Sequence, residues 1–324
     1  MSPKQASLVA SLLVAIVFSA GPPGARPCEL QQTPAPPIRV GSSLVLVDAT
    51  VKDKSGNLID GLTADDFRLL DDGSPQTITY FSRDSLPLAI VLMVDASASI
   101  VPYFDDMTES LTTALTALKR EDQVSLFTFT FAVDKRVDLT ADKGTIAGGL
   151  SGIHTGGSTN LNDALYKAAQ YLDKRAPTMR RVIVLVSDNI PSQVSDYSPK
   201  DVENEILKAD ASVYSLKIPG DNPAGVERYI EQARGSLVDV AKVVSHTGGE
   251  VIDVTKGEPF SAAFATLIHR LKARYTLGYT PVGDSLQDGK YHSVETILTT
   301  EQCKHCRVEA KRGYFAERAG RVKK

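Results

Sequence analysis

Three short stretches of the chain carry oxygen-bearing side chains at spacings that suit a cation. Asp95-Ala96-Ser97-Ala98-Ser99 follows a run of apolar residues, Gly156-Gly157-Ser158-Thr159-Asn160 precedes a helical pattern, and Ser187-Asp188-Asn189 closes a second apolar run. In open α/β sheets ligands bind outside the carboxyl ends of the strands, so a carboxylate and two hydroxyls directly after a buried strand are well placed. Asp95, Ser97, Ser99, Thr159 and Asp188 offer oxygen alone. Such a set suits a hard divalent cation, Mg2+ or Mn2+, that keeps several of its waters. With only two carboxylates a coordination position stays open, and an exposed Asp or Glu of a protein partner would fill it. A structural alternative uses the same residues: serine and threonine cap helices, and Asp95 accepts hydrogen bonds from loop amides.

Other chemistry is thinly represented. Cys303-Lys304-His305-Cys306 lies between strand-like segments rather than at the start of a helix, so it fits a local disulfide across a turn better than a thioredoxin-like centre. Free thiols, or a zinc site completed by His305, His292 or Cys28, are the alternatives. His154 and His246 fall in glycine-rich turns and His269 in a helix, where a surface role is ordinary. The chain has no Gly-x-Ser-x-Gly elbow, no His-Glu-x-x-His, no Walker loop and no Gly-x-Gly-x-x-Gly. The expectation is therefore a protein that is not an enzyme. A hydrolase using Asp95, Asp188 and a metal-bound water, or a thiol enzyme using the Cys pair, is the less favoured reading.

The elements that must position these groups follow from periodicity. Residues 88–94 and 181–187 are continuous apolar runs, the mark of strands buried on both faces. Strands over 123–131 and 133–139 form a hairpin, 212–218 and 250–254 supply further strands, and helices are expected over 104–118, 161–172, 202–207, 237–246 and 260–271. This alternation predicts a doubly wound, mostly parallel α/β sheet. Strand signals before it, from 44 through 77–81, and after it, at 275–280, 293–299 and 307–314, are too small to stand alone and predict one flanking β-sandwich built from both ends of the chain.

The motif set resembles the metal-ion-dependent adhesion site of von Willebrand factor type A (VWA) domains. The resemblance rests on Asp95-x-Ser97-x-Ser99, the Gly-Gly-Ser-Thr159-Asn-Leu-Asn-Asp-Ala-Leu helix start and Asp188 after an apolar strand, and covers roughly residues 87–255. It implies that Ser97 and Ser99 bind the cation directly, and that Asp95, Thr159 and Asp188 do so directly or through water. One position departs from the family pattern: Asn189 stands where a glycine is usual. Asparagine tolerates a left-handed turn, so the site is expected to survive with an altered shape. The wider layout, with Lys54-Ser55-Gly56-Asn57-Leu58-Ile59-Asp60-Gly61-Leu62 before the domain and Lys311-Arg312-Gly313-Tyr314-Phe315-Ala316 after it, is similar to exported bacterial VWA-related proteins.

Composition sets the remaining bounds. The 324 residues carry 36 Lys+Arg against 39 Asp+Glu, which excludes a strongly basic nucleic-acid footprint. Residues 8–18 form the longest apolar stretch, too short to span a bilayer and placed like the core of a secretory signal peptide. The expected organisation is a signal peptide over 1–25, a Pro-rich linker over 26–37, an N-terminal β segment over 38–84, the VWA domain over 85–256, a helix and β segment over 257–317 that packs with the first, and a basic tail over 318–324. The mature protein is expected to be exported, to the periplasm, cell surface or medium, with no transmembrane segment. A structural scaffold with an empty metal site, assembled through its β unit, is the alternative to partner binding.

Overall fold

The computed structural model describes residues 44–83, 86–221, 225–233, 235–254, 259–281, 288–300, 303 and 305–316. The expected leader, linker and basic tail lie outside these residues.

Six strands make the central sheet: β5 (Leu88–Asp95), β6 (Gln123–Phe129), β7 (Val133–Thr140), β8 (Arg180–Ser187), β9 (Ala211–Lys217) and β10 (Val251–Asp253), in the order β10-β9-β8-β5-β6-β7. All pairings are parallel except β6 with β7, a hairpin at one edge. Every residue of β5 is buried, and alternation sorts its side chains between two cores. Leu88, Ile90, Leu92 and Val94 pack towards α1 (Phe104–Leu115), α2 (Lys143–Leu150) and α7 (Phe260–Lys272). Ala89, Val91 and Met93 pack towards α3 (Leu161–Arg175), α4 (Pro199–Lys208) and α6 (Val240–His246). Each fully buried aliphatic side chain contributes roughly 1.5–3 kcal/mol, which explains why the run tolerates no polar residue until Asp95. The chain passes from β5 to β6 on one side and, after α3, to β8 on the other, so the reversal point of the sheet lies between the carboxyl ends of β5 and β8.

Two four-stranded antiparallel sheets flank this domain. One has the order β13-β1-β11-β4, from β1 (Val45–Lys52), β4 (Tyr80–Ser82), β11 (Tyr275–Tyr279) and β13 (Arg307–Ala310); the other has β14-β12-β2-β3, from β2 (Phe67–Asp71), β3 (Ser74–Gln76), β12 (Tyr291–Leu298) and β14 (Gly313–Phe315). β1 lies between β11 and β13, so neither end of the chain completes a sheet without the other. Val47, Ala49, Phe67, Leu69, Leu277, Tyr279, Val294 and Tyr314 close one core between the sheets.

Several elements differ from the sequence expectation. Of the strand expected over 77–81 only Tyr80 and Phe81 belong to one, β4; residues 77–79 carry the chain across from β3, which ends at Gln76 in the other sheet. The strand expected over 307–314 is divided into β13 and β14. The helix α2 was not anticipated, since Gly144, Gly148 and Gly149 lower helix propensity. Gly149 is required there, because a Cβ would fall 2.5 Å from Val137 Cγ2. The helix α5 (Val226–Gln232) also went unseen, and α6 begins at Val240, capped by Asp239, rather than at 237.

Candidate metal centre

Asp95 ends β5 and is fully buried; its Oδ1 accepts from Ser97 N at 2.9 Å and its Oδ2 from Ser187 Oγ at 2.6 Å. Burial pushes its carboxyl up to about 6, against those hydrogen bonds, and the charge of Asp188 adds to the rise. Ser97 and Ser99 are buried in the turn that follows, their hydroxyls 3.3 Å apart. Asp188 follows β8 and is also buried; its Oδ1 accepts from Ile190 N at 2.9 Å, and its Oδ2 has no hydrogen-bond partner. Thr159, buried just before α3, exchanges two bonds with Ser192: Thr159 N donates to Ser192 Oγ at 2.8 Å and Ser192 N to Thr159 O at 3.0 Å.

Backbone hydrogen bonds hold the loops of this edge to one another. Ala98 N donates to Gly157 O, Gly156 N to Ala96 O, Asn160 N to Thr130 O and Asp221 N to Ser99 O. The approach of the last loop is close. A Cβ on Gly220 would lie 2.2 Å from Asp188 Oδ2, so only glycine admits this carboxylate. Asn189, in the position where a glycine was expected, has φ 60°. Its amide and Ser215 Oγ bond each other at 2.7 and 3.0 Å, which anchors the left-handed turn to β9. The substitution is therefore accommodated by a side-chain pair as well as by backbone tolerance.

A buried carboxylate oxygen with no donor costs free energy unless something positive meets it. Two carboxylates and three hydroxyls at one sheet edge, with both acids buried and one acid oxygen unpartnered, fit a hard divalent cation better than they fit a finished hydrogen-bond network. Sequence reasoning placed Ser187 in an oxygen-bearing stretch without assigning it a role and did not find Ser192 or Gly220, whose roles appear only when the loops are brought together. The apolar run ending in Ser187 was the one available signal.

The remaining candidates have separate places. Cys303 and Cys306 are joined by a disulfide, with Cα atoms 5.2 Å apart, between β12 and β13. His246 is the last residue of α6 rather than a turn residue, and its Nδ1 meets Glu203 Oε1. His292 lies on β12, with Nδ1 2.9 Å from Asp72 Oδ2 and Nε2 3.1 Å from Asp288 Oδ1. Asp71, Asp72 and His292 are close enough to consider as metal ligands, but both ring nitrogens already face carboxylates, and Asp71 Oδ2 accepts from Tyr279 and Tyr314. This is a satisfied polar knot inside the β-sandwich.

Comparison with known proteins bears on the central domain. Residues 90–190 match the von Willebrand factor type A domain, and the chain carries a VWA domain. Over 181 residues, 50% of the chain, it is 31% identical to human inter-alpha-trypsin inhibitor heavy chain H4. That stretch is 19% of the curated relative, so the chain matches about a fifth of its length. Among solved structures it is similar to BatB from Bacteroides thetaiotaomicron (12% identity, TM-score 0.43, 57% of this chain and 97% of the other). It is also similar to proximal thread matrix protein 1 from the mussel byssus, solved with a zinc-occupied MIDAS motif (14%, 0.46, 62% and 49%).

Proposed function

We propose that this chain is an exported, non-enzymatic binding protein whose VWA domain holds Mg2+ or Mn2+ at Asp95, Ser97, Ser99, Thr159 and Asp188 and engages an Asp or Glu of a protein partner. The observation that carries this reading is the unpartnered, buried Oδ2 of Asp188 at the sheet edge where Asp95 is also buried. When bound, the cation supplies a Lewis-acidic position for a partner carboxylate. The chain's own residues do the rest. Ser97 N and Ser187 Oγ orient Asp95, Ile190 N orients Asp188, and Ser192 holds the Thr159 loop, so that the oxygens are arranged before any ligand arrives.

Export is supported by the leader-like N-terminus and by the Cys303–Cys306 disulfide, which suits an oxidising compartment. The same proposal takes residues 1–25 as leader, 26–37 as linker, 85–256 as the binding domain, 38–84 and 257–317 as the sandwich that supports it, and 318–324 as a solvated tail. Among the described residues no helix is long and apolar enough to cross a membrane.

Calorimetric titration of Mg2+ and Mn2+ into the metal-stripped protein, beside a Ser97→Ala/Ser99→Ala variant, tests the reading. Saturable binding by the wild type, weakened at least tenfold in the variant, is expected. Equal binding by both proteins would overturn the site assignment, and binding by neither would overturn the metal reading.

A further inference from the structure

The loops around the metal centre share an unusual composition. Residues 96–104, 130–133, 151–160, 188–198 and 218–221 contain no Lys and no Arg, although the chain has 36 of them. Lys217, which ends β9 at the same edge, is ion-paired to Asp253 at 3.3 Å. An incoming carboxylate therefore meets no cationic side chain in these loops, and only a bound metal would supply positive charge.

Beside exposed polar residues such as Asp196 and Asp221, the loops expose large apolar side chains. Six large hydrophobic residues are exposed among the described residues, and three of them stand here: Phe131 at 65%, Val194 at 51% and Val101 at 50%. They are tied to the metal loops by short paths. Val101 is two residues beyond Ser99. The Phe131 ring rests on Gly157, whose Cβ, if it had one, would lie 3.5 Å from Phe131 Cδ1. Gln193, the neighbour of Val194, accepts from Ser158 Oγ at 2.6 Å and reaches Phe131 O at 3.5 Å. Gly157, at φ 84°, places no side chain over the ring. Exposed aromatic and aliphatic groups around a polar centre are what a partner interface uses for affinity.

Resting on the metal reading above, we infer that Phe131, Val101 and Val194 form the rim of the partner site, and that its occupant is a protein segment whose coordinating Asp or Glu is flanked by a large apolar side chain. The metal selects the carboxylate, and the rim selects its neighbour.

The test uses a peptide array in which a central Asp is flanked on both sides by Leu, Phe, Ser or Lys, probed with the full chain in Mg2+ and in chelator. Mg2+-dependent capture at least tenfold stronger for Leu- and Phe-flanked peptides than for Ser- or Lys-flanked ones is expected. Phe131→Ser should remove most of that preference while leaving Mg2+ affinity within twofold, and because the residue is exposed its thermal unfolding should match the wild type. Equal Mg2+-dependent capture of all flanks, or a preference that persists in a Phe131→Ser/Val101→Ser/Val194→Ser variant, overturns the inference and leaves the metal reading standing. No Mg2+-dependent capture of any acidic peptide also overturns it. Direct Mg2+ titration of the same sample then shows whether the metal reading has failed as well.

Discussion

The two edges of the central sheet both bury charge, and they do so in opposite ways. At the carboxyl edge Asp95 and Asp188 are buried among hydroxyls and amides with no cationic side chain in the surrounding loops. At the amino edge, where the β-sandwich abuts, the buried cations Lys52, Arg180 and Arg274 each meet a carboxylate. Asp48 of β1 lies 2.5 Å from Arg180 Nε and 3.7 Å from Arg274 Nη1, and Lys52 bridges Glu250 and Glu309 at 2.7 and 2.6 Å. Arg270 joins Glu250 at 3.2 Å and donates to Gly56 O, and Lys311 joins Asp210. Burial alone would raise the Asp48 carboxyl, yet Arg180 and Arg274 hold it below the usual aspartate range. Arg274, stacked over Tyr214 at 4.9 Å, is drawn down to about 9 by burial and by Arg180. The contrast separates two uses of buried charge. Paired charge joins the sandwich to the sheet, whereas the acid of one sign at the other edge is, on the function proposed above, kept for a cation.

The largest test of this contrast is Asp48→Ala. It leaves two buried guanidinium groups without their shared carboxylate and should lower unfolding free energy by about 3–5 kcal/mol, read from urea denaturation. A loss below about 1 kcal/mol would mean that the junction does not depend on the pairing. Next comes Gly220→Ala, which drives a methyl group into Asp188 Oδ2. Mg2+ affinity should fall at least tenfold by calorimetry, about 1.4 kcal/mol. An unchanged affinity would detach Asp188 from the site.

The smallest expected effect lies in the sandwich. Burial lowers the His292 pKa, but Asp288 and Asp72 outweigh it and raise the value above the ordinary histidine range, with Asp71 behind them and Tyr314 stacked on the ring. A raised histidine stabilises the fold fully below its unfolded pKa, near 6.5, and that contribution is lost as pH rises through the folded value. Stability should therefore decline from about pH 6 to pH 8 in wild type, and His292→Gln should flatten that slope. An identical slope in the variant would assign the decline elsewhere.

Much of the α/β domain was legible because its strands are buried on both faces. The run 88–94 admits one reading, and Asp95 stands out as the first acid after it. The oxygens of the metal centre were legible for the same reason, each sitting next to a strong element signal. The division of 307–314 was not, since the change of sheet is marked only by the short Lys311-Arg312 interruption between β13 and β14. The junction and the His292 knot escaped because their partners are remote: His292 and Asp72 are 220 positions apart. A charged residue in a strand, such as Asp48, reads locally as solvent-facing. Gly220 escaped because its role is a space rather than a group.

The central claim is that burying Asp95 costs stability that a cation offsets. It is tested most directly by unfolding wild type and Asp95→Asn in chelator and in saturating Mg2+. With the folded carboxyl near 6 against 3.8 for the free group, ionising it at neutral pH costs about 3 kcal/mol. The account predicts that Asp95→Asn is the more stable protein in chelator, and that Mg2+ reverses the order by stabilising wild type alone. An Asp95→Asn protein less stable than wild type in chelator, together with no response of either protein to Mg2+, would contradict it.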